Sequence, residues 1–347
     1  MAKVLMCKSA HVAPMFEQLR RDSGRSSSWP LAMPLSLVGS FGELGGSFDK
    51  LKKPRDIIEL PEGGGFIVSD AGNNKLTKFN ADGSVAAGFF GVCGYGYGAT
   101  NCIEPSGLAM YGDELFVVDE GNARIQVYSV ADGAFVRTIF LPEGKPDDTN
   151  QWYPKGVALH AEKKDGTPDL FVLEVAISGI EFSSRVQVLN ISSGRPNRSF
   201  DVPKDVFNPG PSSLGLSGYA HGLAVAGRPL NAVIVGDMIG SSIGVVPHNK
   251  GPSLVGGITN PFGFAIYVDR KNADNMKVYV SSLEGGTVHI LSPAGEGALK
   301  ADEKFKIDGA SGLTGLRLSA DGTKLYACDQ GAGCVWILST VEEAAAA

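Results

Sequence analysis

Long apolar runs are missing from this chain. No hydrophobic stretch is long enough to cross a membrane as a helix, so no membrane partner is expected. Cysteine is sparse, five in 347 residues, and no two stand in a CxxC spacing. That argues against a zinc ribbon or a thioredoxin-like motif. Histidine is equally sparse, with His11, His160, His221, His248 and His289. There is no G-x-S-x-G nucleophile elbow and no P-loop. An excess of positive charge is also lacking. The formal net charge is −6, which argues against broad, charge-driven binding to nucleic acid. Residues 1–34 carry no convincing signal peptide, because Lys8 and His11 interrupt the apolar run. Arg20, Arg21 and Arg25 resemble an organelle transit segment, but Glu17 and Asp22 count against it. A cytoplasmic setting is favoured.

What the chain has is glycine and repetition. It contains 46 glycines. The phrase FIVSDAGNNKLTKF at Phe66–Phe79 returns as LFVVDEGNARIQVY at Leu115–Tyr128. Two strand-like runs around a short polar segment are a β-hairpin signal. A phrase repeated at a fixed period implies a repeat architecture. The full unit has a short apolar strand opened by proline, a turn, a strand ending in Asp, a Gly-Asn turn and a third strand. Six units begin at Pro54, Pro105, Pro154, Ala220, Pro261 and Leu313, spaced by 51, 49, 66, 41 and 52 residues. Each unit holds three short strands, and the linkers leave room for a fourth. Such a unit cannot bury both faces alone; stacking around an axis does. The expected fold is therefore all-β, a six-bladed β-propeller over residues 35–340. Residues 1–34 form an N-terminal extension, flexible or partner-binding, and 341–347 form a tail. Unit six has no room for an outer strand, whereas Leu35–Ser40 is a strand without a blade. This N-terminal strand is expected to complete blade six and close the ring.

The chain here resembles the NHL-repeat family. The resemblance rests on FGELGGSFDKLKKP, VSDAGNNKLTKF and VVDEGNARIQVY. It is strongest in units one and two and weakest in four and five. Unit three departs from the pattern with a longer turn and Glu174 in the aspartate position, and unit four lacks the basic residue. Family members include recognition heads of RING-type ubiquitin ligases, and some bind RNA. This chain has no RING spacing, B-box or coiled coil, so the resemblance implies a protein- or peptide-binding propeller with nucleic acid disfavoured.

Several residues are candidates for function. Asp70, Asp119, Asp237 and Asp329 recur with the hairpin, so they are expected to cap turns rather than to catalyse. The residue after each first position lies, by the resemblance, at one channel mouth. These are Arg55, Ser106, Lys155, His221, Phe262 and Thr314. Three can be positive and none is acidic, so the ring either attracts an anion or carboxylate or is a solvated rim braced by acids such as Asp56. Tyr95 and Tyr97, between glycines in GVCGYGYGATNC, either offer aromatic contacts to a partner or pack at a blade junction. Cys93 with Cys102, and Cys328 with Cys334, are possible local disulfide pairs.

Enzymes of similar architecture set a test. Amidating lyases that act on peptidyl-hydroxyglycine resemble NHL propellers and hold zinc with three channel histidines. Only His221 stands at a comparable place here, and zinc needs three or four convergent ligands. Gluconolactonase-like propellers hold calcium with channel carboxylates and amides, for which Asp56 and Glu174 are the nearest acids. The expected function is a non-catalytic scaffold for a protein or peptide, with no cofactor and no metal site. The alternative is a metal-dependent lyase or lactonase that uses zinc or calcium in the channel.

Overall fold

The computed structural model describes residues 35–86, 94–141, 152–161, 166–178, 181–202, 220–247, 251–269, 272, 275–295 and 297–341. The N-terminal extension, His11, Cys93 and His248 lie outside them. The described chain is a six-bladed β-propeller of antiparallel sheets. Blade two shows the pattern. Its strands are Pro105–Tyr111, Glu114–Asp119, Arg124–Ser129 and Phe135–Phe140, paired in that order from the axis outward. Blades three, four and five repeat it from Trp152–His160, Ala220–Ala226 and Pro261–Tyr267. Blade one has three described strands, Pro54–Glu59, Phe66–Asp70 and Lys75–Phe79.

The ring closes through the N-terminal strand. Ser36–Phe41 runs antiparallel to Cys334–Ser339, the third strand of blade six, with Ser36 opposite Ser339 and Phe41 opposite Val335. Leu313–Leu318 and Lys324–Asp329 complete that blade. The closing strand is the one read from the sequence, displaced by one residue.

Alternating strands bury both faces of each blade between its neighbours. The result is one apolar cluster at each of the six junctions, rather than one central core. The cluster joining blade six to blade one contains Phe41, Ile57, Phe66, Val68, Phe79, Tyr326 and Val335. Its aromatic rings interlock. Phe41 lies 5.1 Å from Phe66 and 5.0 Å from Phe79, and Phe66 lies 4.8 Å from Tyr326.

The repeated hairpin has a definite chemistry. Asp119 accepts the Ile103 N–H (2.7 Å), the Asn122 amide (2.8 Å) and the Arg124 Nε–H (2.7 Å). Asp70 does the same work in blade one, with the Lys52 N–H and the Asn73 amide, both at 2.7 Å. Burial outweighs these bonds and pushes the Asp70 carboxyl up to about 6. Asp329 accepts the Ser311, Gly312, Gly331 and Ala332 N–H groups. These three aspartates fasten the starts of blades one, two and six to their own hairpins.

Gly121 needs no positive φ; the left-handed residue of its turn is Ala123, at φ 51°. Glycine is required at 121 for space, since a Cβ there would lie 2.3 Å from Ile103 Cγ2. Among the described residues Cys328 and Cys334 are thiols rather than a disulfide, and the register sets Cys334 opposite Asp329 and Cys328 opposite Val335. The expected pairing of Cys93 with Cys102 lies partly outside the described residues.

Candidate functional site

Five of the inner strands shift register just after their first or second residue: Pro54/Asp56, Pro105/Leu108, His221/Leu223, Pro261/Phe264 and Leu313/Leu316. In blade three the irregularity leaves Lys155 out of the ladder between Pro154 and Gly156. A bulge re-aims the side chain that it displaces. Bulges leave Arg55, Ser106, Lys155 and Phe262 out of the ladder. Together with His221, which pairs with Gly236 just before the blade-four bulge at Gly222, they line a central cavity of about 450 Å³. Thr314, the sixth position, instead donates to the carbonyls of Pro54 (2.7 Å) and Cys328 (3.3 Å). It ties blade six to blade one.

Below this ring the channel narrows on glycine. Gly107, Gly156, Gly222, Gly263 and Gly315 all line the cavity one residue further on. A Cβ at Gly222 would fall 1.6 Å from the Phe262 carbonyl oxygen, and one at Gly263 would fall 2.2 Å from that of Thr314. Inner strands meet there backbone to backbone. Blade one alone carries a side chain at this level, Asp56. Its carboxylate accepts the N–H groups of Leu108 (2.9 Å) and Ile57 (2.8 Å) and lies 3.8 Å from the Arg317 guanidinium. Burial raises the Asp56 pKa against the pull of Arg317. The signal was present in the sequence, where PRDI stands against PSGL, PKGV, AHGL, PFGF and LTGL.

The ring is not a solvated rim. Ser106, Lys155, His221, Phe262 and Thr314 are all buried. The His221 ring lies on the Phe262 ring, with centroids 3.9 Å apart and planes at 32°. The Arg55 guanidinium carbon stands 5.2 Å from the Phe262 centroid. Lys155 pairs with Glu120, which belongs to the hairpin turn of blade two. Burial, then the charges of Arg55 and Lys155, hold the His221 pKa well below its ordinary value, so the imidazole is neutral. Its Nδ1 is buried and has no hydrogen-bond partner. Among the described residues Arg55 makes no ion pair and no side-chain hydrogen bond, and Phe262 is its one ring contact.

The loops crossing from one blade to the next are held by the basic residue of the third strand. Arg124 donates to the carbonyls of Tyr97 (3.2 Å), Gly98 (2.6 Å) and Asn101 (2.9 Å). Lys75 donates to those of Ser47, Phe48 and Lys50. Asn122 and Asn73 add bonds to Gly96 and Gly45 at 3.0 Å each. The backbone is thus fixed while the aromatic side chains stay in solvent. Tyr95 is 69% exposed, Tyr97 74% and Phe48 54%. Neither tyrosine packs into a blade junction. The neighbouring Tyr97 phenol raises the Tyr95 pKa.

The donors required by a channel metal are dispersed. Among the described residues no group of three or more His, Cys, Asp or Glu side chains is placed to share an ion. His160 lies against Phe171, with ring centroids 6.5 Å apart, and His289 sits in a third strand opposite Val280 and Lys304. Glu174 is buried at the aspartate position of blade three and accepts bonds from Arg185 (2.8 Å) and Gln187 (2.7 Å). Arg185 in turn covers Trp152 at 4.1 Å. These residues do not fit a three-histidine zinc site.

The sequence matches no family model and no curated protein. Solved structures share the architecture. A streptogramin B lyase superposes with a TM-score of 0.56 at 12% identity, covering 90% of this chain and 99% of that one. A hydrazine synthase of Kuenenia stuttgartiensis gives 0.53 at 14%, covering 83% and 96%. A catalytically inactive virginiamycin B lyase from Staphylococcus aureus with quinupristin gives 0.52 at 14%, covering 88% and 99%. At such identities the likeness is one of fold.

Proposed function

We propose that residues 35–340 form an NHL-type propeller that serves as a non-catalytic scaffold and docks a protein or peptide on its crossing-loop face. The observation that carries this reading is the exposure of Tyr95 and Tyr97 on a loop whose backbone Arg124 and Asn122 clamp. Rigid aromatic anchors bind with little loss of conformational entropy. Phe48 occupies the matching loop of blade one, so the anchors extend over two neighbouring blades. The NHL-type assignment is supported by the shared role of Asp, Asn and the basic residue in the hairpins of blades one and two.

The competing reading is a zinc- or calcium-dependent lyase or lactonase, since lyases occur among proteins of this fold. It requires convergent ligands. Asp56 and Glu174, the nearest acids, are already engaged by N–H groups and arginines. A phage-displayed peptide library panned on the intact protein tests the scaffold. Selected peptides are expected to bind the wild type and to lose at least tenfold in affinity on Tyr95→Ser/Tyr97→Ser, with the melting temperature unchanged. Full retention of binding in that variant would refute the assigned face.

A further inference from the structure

We infer that the central cavity binds a small amphipathic monocarboxylate, its carboxylate at Arg55 and His221 and its apolar body along the channel wall. This site is separate from the crossing-loop face and does not depend on that face binding a partner.

The charge balance of the cavity points to an anion. Its charged lining groups are Arg55, Asp56, Lys155 and Arg317, with His221 neutral. Lys155 is answered by Glu120. Arg317 faces Asp56 and also donates to the carbonyls of Ile57 (3.0 Å) and Leu108 (3.1 Å). Arg55 alone has no anionic partner among the described residues. A guanidinium in this setting is suited to a carboxylate, which it can hold with two parallel bonds.

His221 supplies the second, independent observation. Its Nδ1 is buried without a partner, at a residue that lines the same cavity. Buried polar nitrogens are normally hydrogen-bonded, and one left unmade is costly. A neutral imidazole can donate one N–H to an anion without repelling Arg55. The stack of His221 on Phe262 holds the ring in place.

The rest of the wall selects the body of the ligand. Beyond the glycine level it is lined by Met110, Leu159, Val225, Phe264, Ile266 and Leu318. The lining follows five consecutive residues in five of the six inner strands, such as Lys155–Leu159, about 15 Å at the usual rise. The volume of 450 Å³ lies within the roughly 300–1,000 Å³ of small-molecule sites. Asp56 and Arg317, which also line the wall, offset each other at 3.8 Å, so an unpaired cation at one end with apolar side chains beyond it matches a medium-chain fatty acid or a comparable aryl-alkyl acid.

Isothermal titration calorimetry of the whole protein with sodium decanoate tests the site, with acetate as a head group without a tail and decanol as a tail without a charge. Decanoate is expected to bind one to one, and acetate not to bind measurably. Arg55→Gln should weaken decanoate about tenfold or more, the loss of one charge-assisted contact, and leave decanol unchanged. Ile266→Trp, which fills the channel from the wall, should abolish decanoate binding while the melting temperature shows the fold intact. Absence of decanoate binding to the wild type would overturn the inference. So would decanoate affinity unchanged by Arg55→Gln, or binding retained in Ile266→Trp, because the acid would then sit away from Arg55 or outside the channel.

Discussion

Phe41 stacks on Phe66 across the seam between the last blade and the first, with ring centroids 5.1 Å apart and planes at 25°. The first of these residues belongs to the closing strand and the second to blade one. The seam therefore joins the N-terminal strand to both blades at once. Phe41→Ala should cost about 3–5 kcal/mol, the range for truncating a buried aromatic. Removing residues 1–45 should do more, since it also bares the Cys334–Ser339 edge. Thermal denaturation of both variants checks this. An unchanged melting temperature in the deletion would mean that the ring does not depend on its latch.

The hairpin turn of blade two permits a paired test. Gly121→Val places a side chain against Ile103 and should destabilise by roughly 1–3 kcal/mol through overpacking. Ala123 carries the positive φ, so Ala123→Gly should stabilise by a few tenths to 1 kcal/mol. Urea midpoints of the two variants should move in opposite directions. If Ala123→Gly proved the more harmful, the assignment of strain within this turn would be wrong.

How far this was legible from residues alone differs by feature. The blades were legible because each hairpin is local, and D-x-G-N with a basic residue recurs where its bonds recur. The latch was legible by subtraction, as one strand without a blade and one blade without a strand. The level of Asp56 was not drawn out, although the contrast of PRDI with five x-G-φ phrases was visible. The role of those glycines lies between blades, in backbone contacts such as Gly222 with Phe262, and no single repeat reveals that. The burial of Lys155 and His221 was missed for a related reason: the inner strands of neighbouring blades enclose them around one cavity, which is a property of the closed ring. The part played by Gly121 was not legible, because its crowding comes from Ile103, 18 residues earlier in the chain.

His221 should make the fold sensitive to acid. Burial and the neighbouring charges hold its folded pKa well below 6.5, whereas the unfolded chain takes up a proton near 6.5. The contribution of the neutral ring is complete above that value and is lost as pH falls below it. Each pH unit of decline costs about 1.4 kcal/mol until the folded ring also protonates. Denaturant titrations of wild type and His221→Gln at pH 7.5 and pH 5 should show a difference that grows on the acid side. Parallel curves would mean that the imidazole is solvated or already charged.

The most direct test of a scaffold without channel metal chemistry is elemental analysis of the purified full-length protein after dialysis against buffer free of chelator. The residues of the channel predict far less than one equivalent of zinc or calcium per chain, with no change in the little that remains on His221→Ala. One equivalent of either metal, lost on His221→Ala, would contradict the scaffold reading and return the channel to a metal-dependent enzyme.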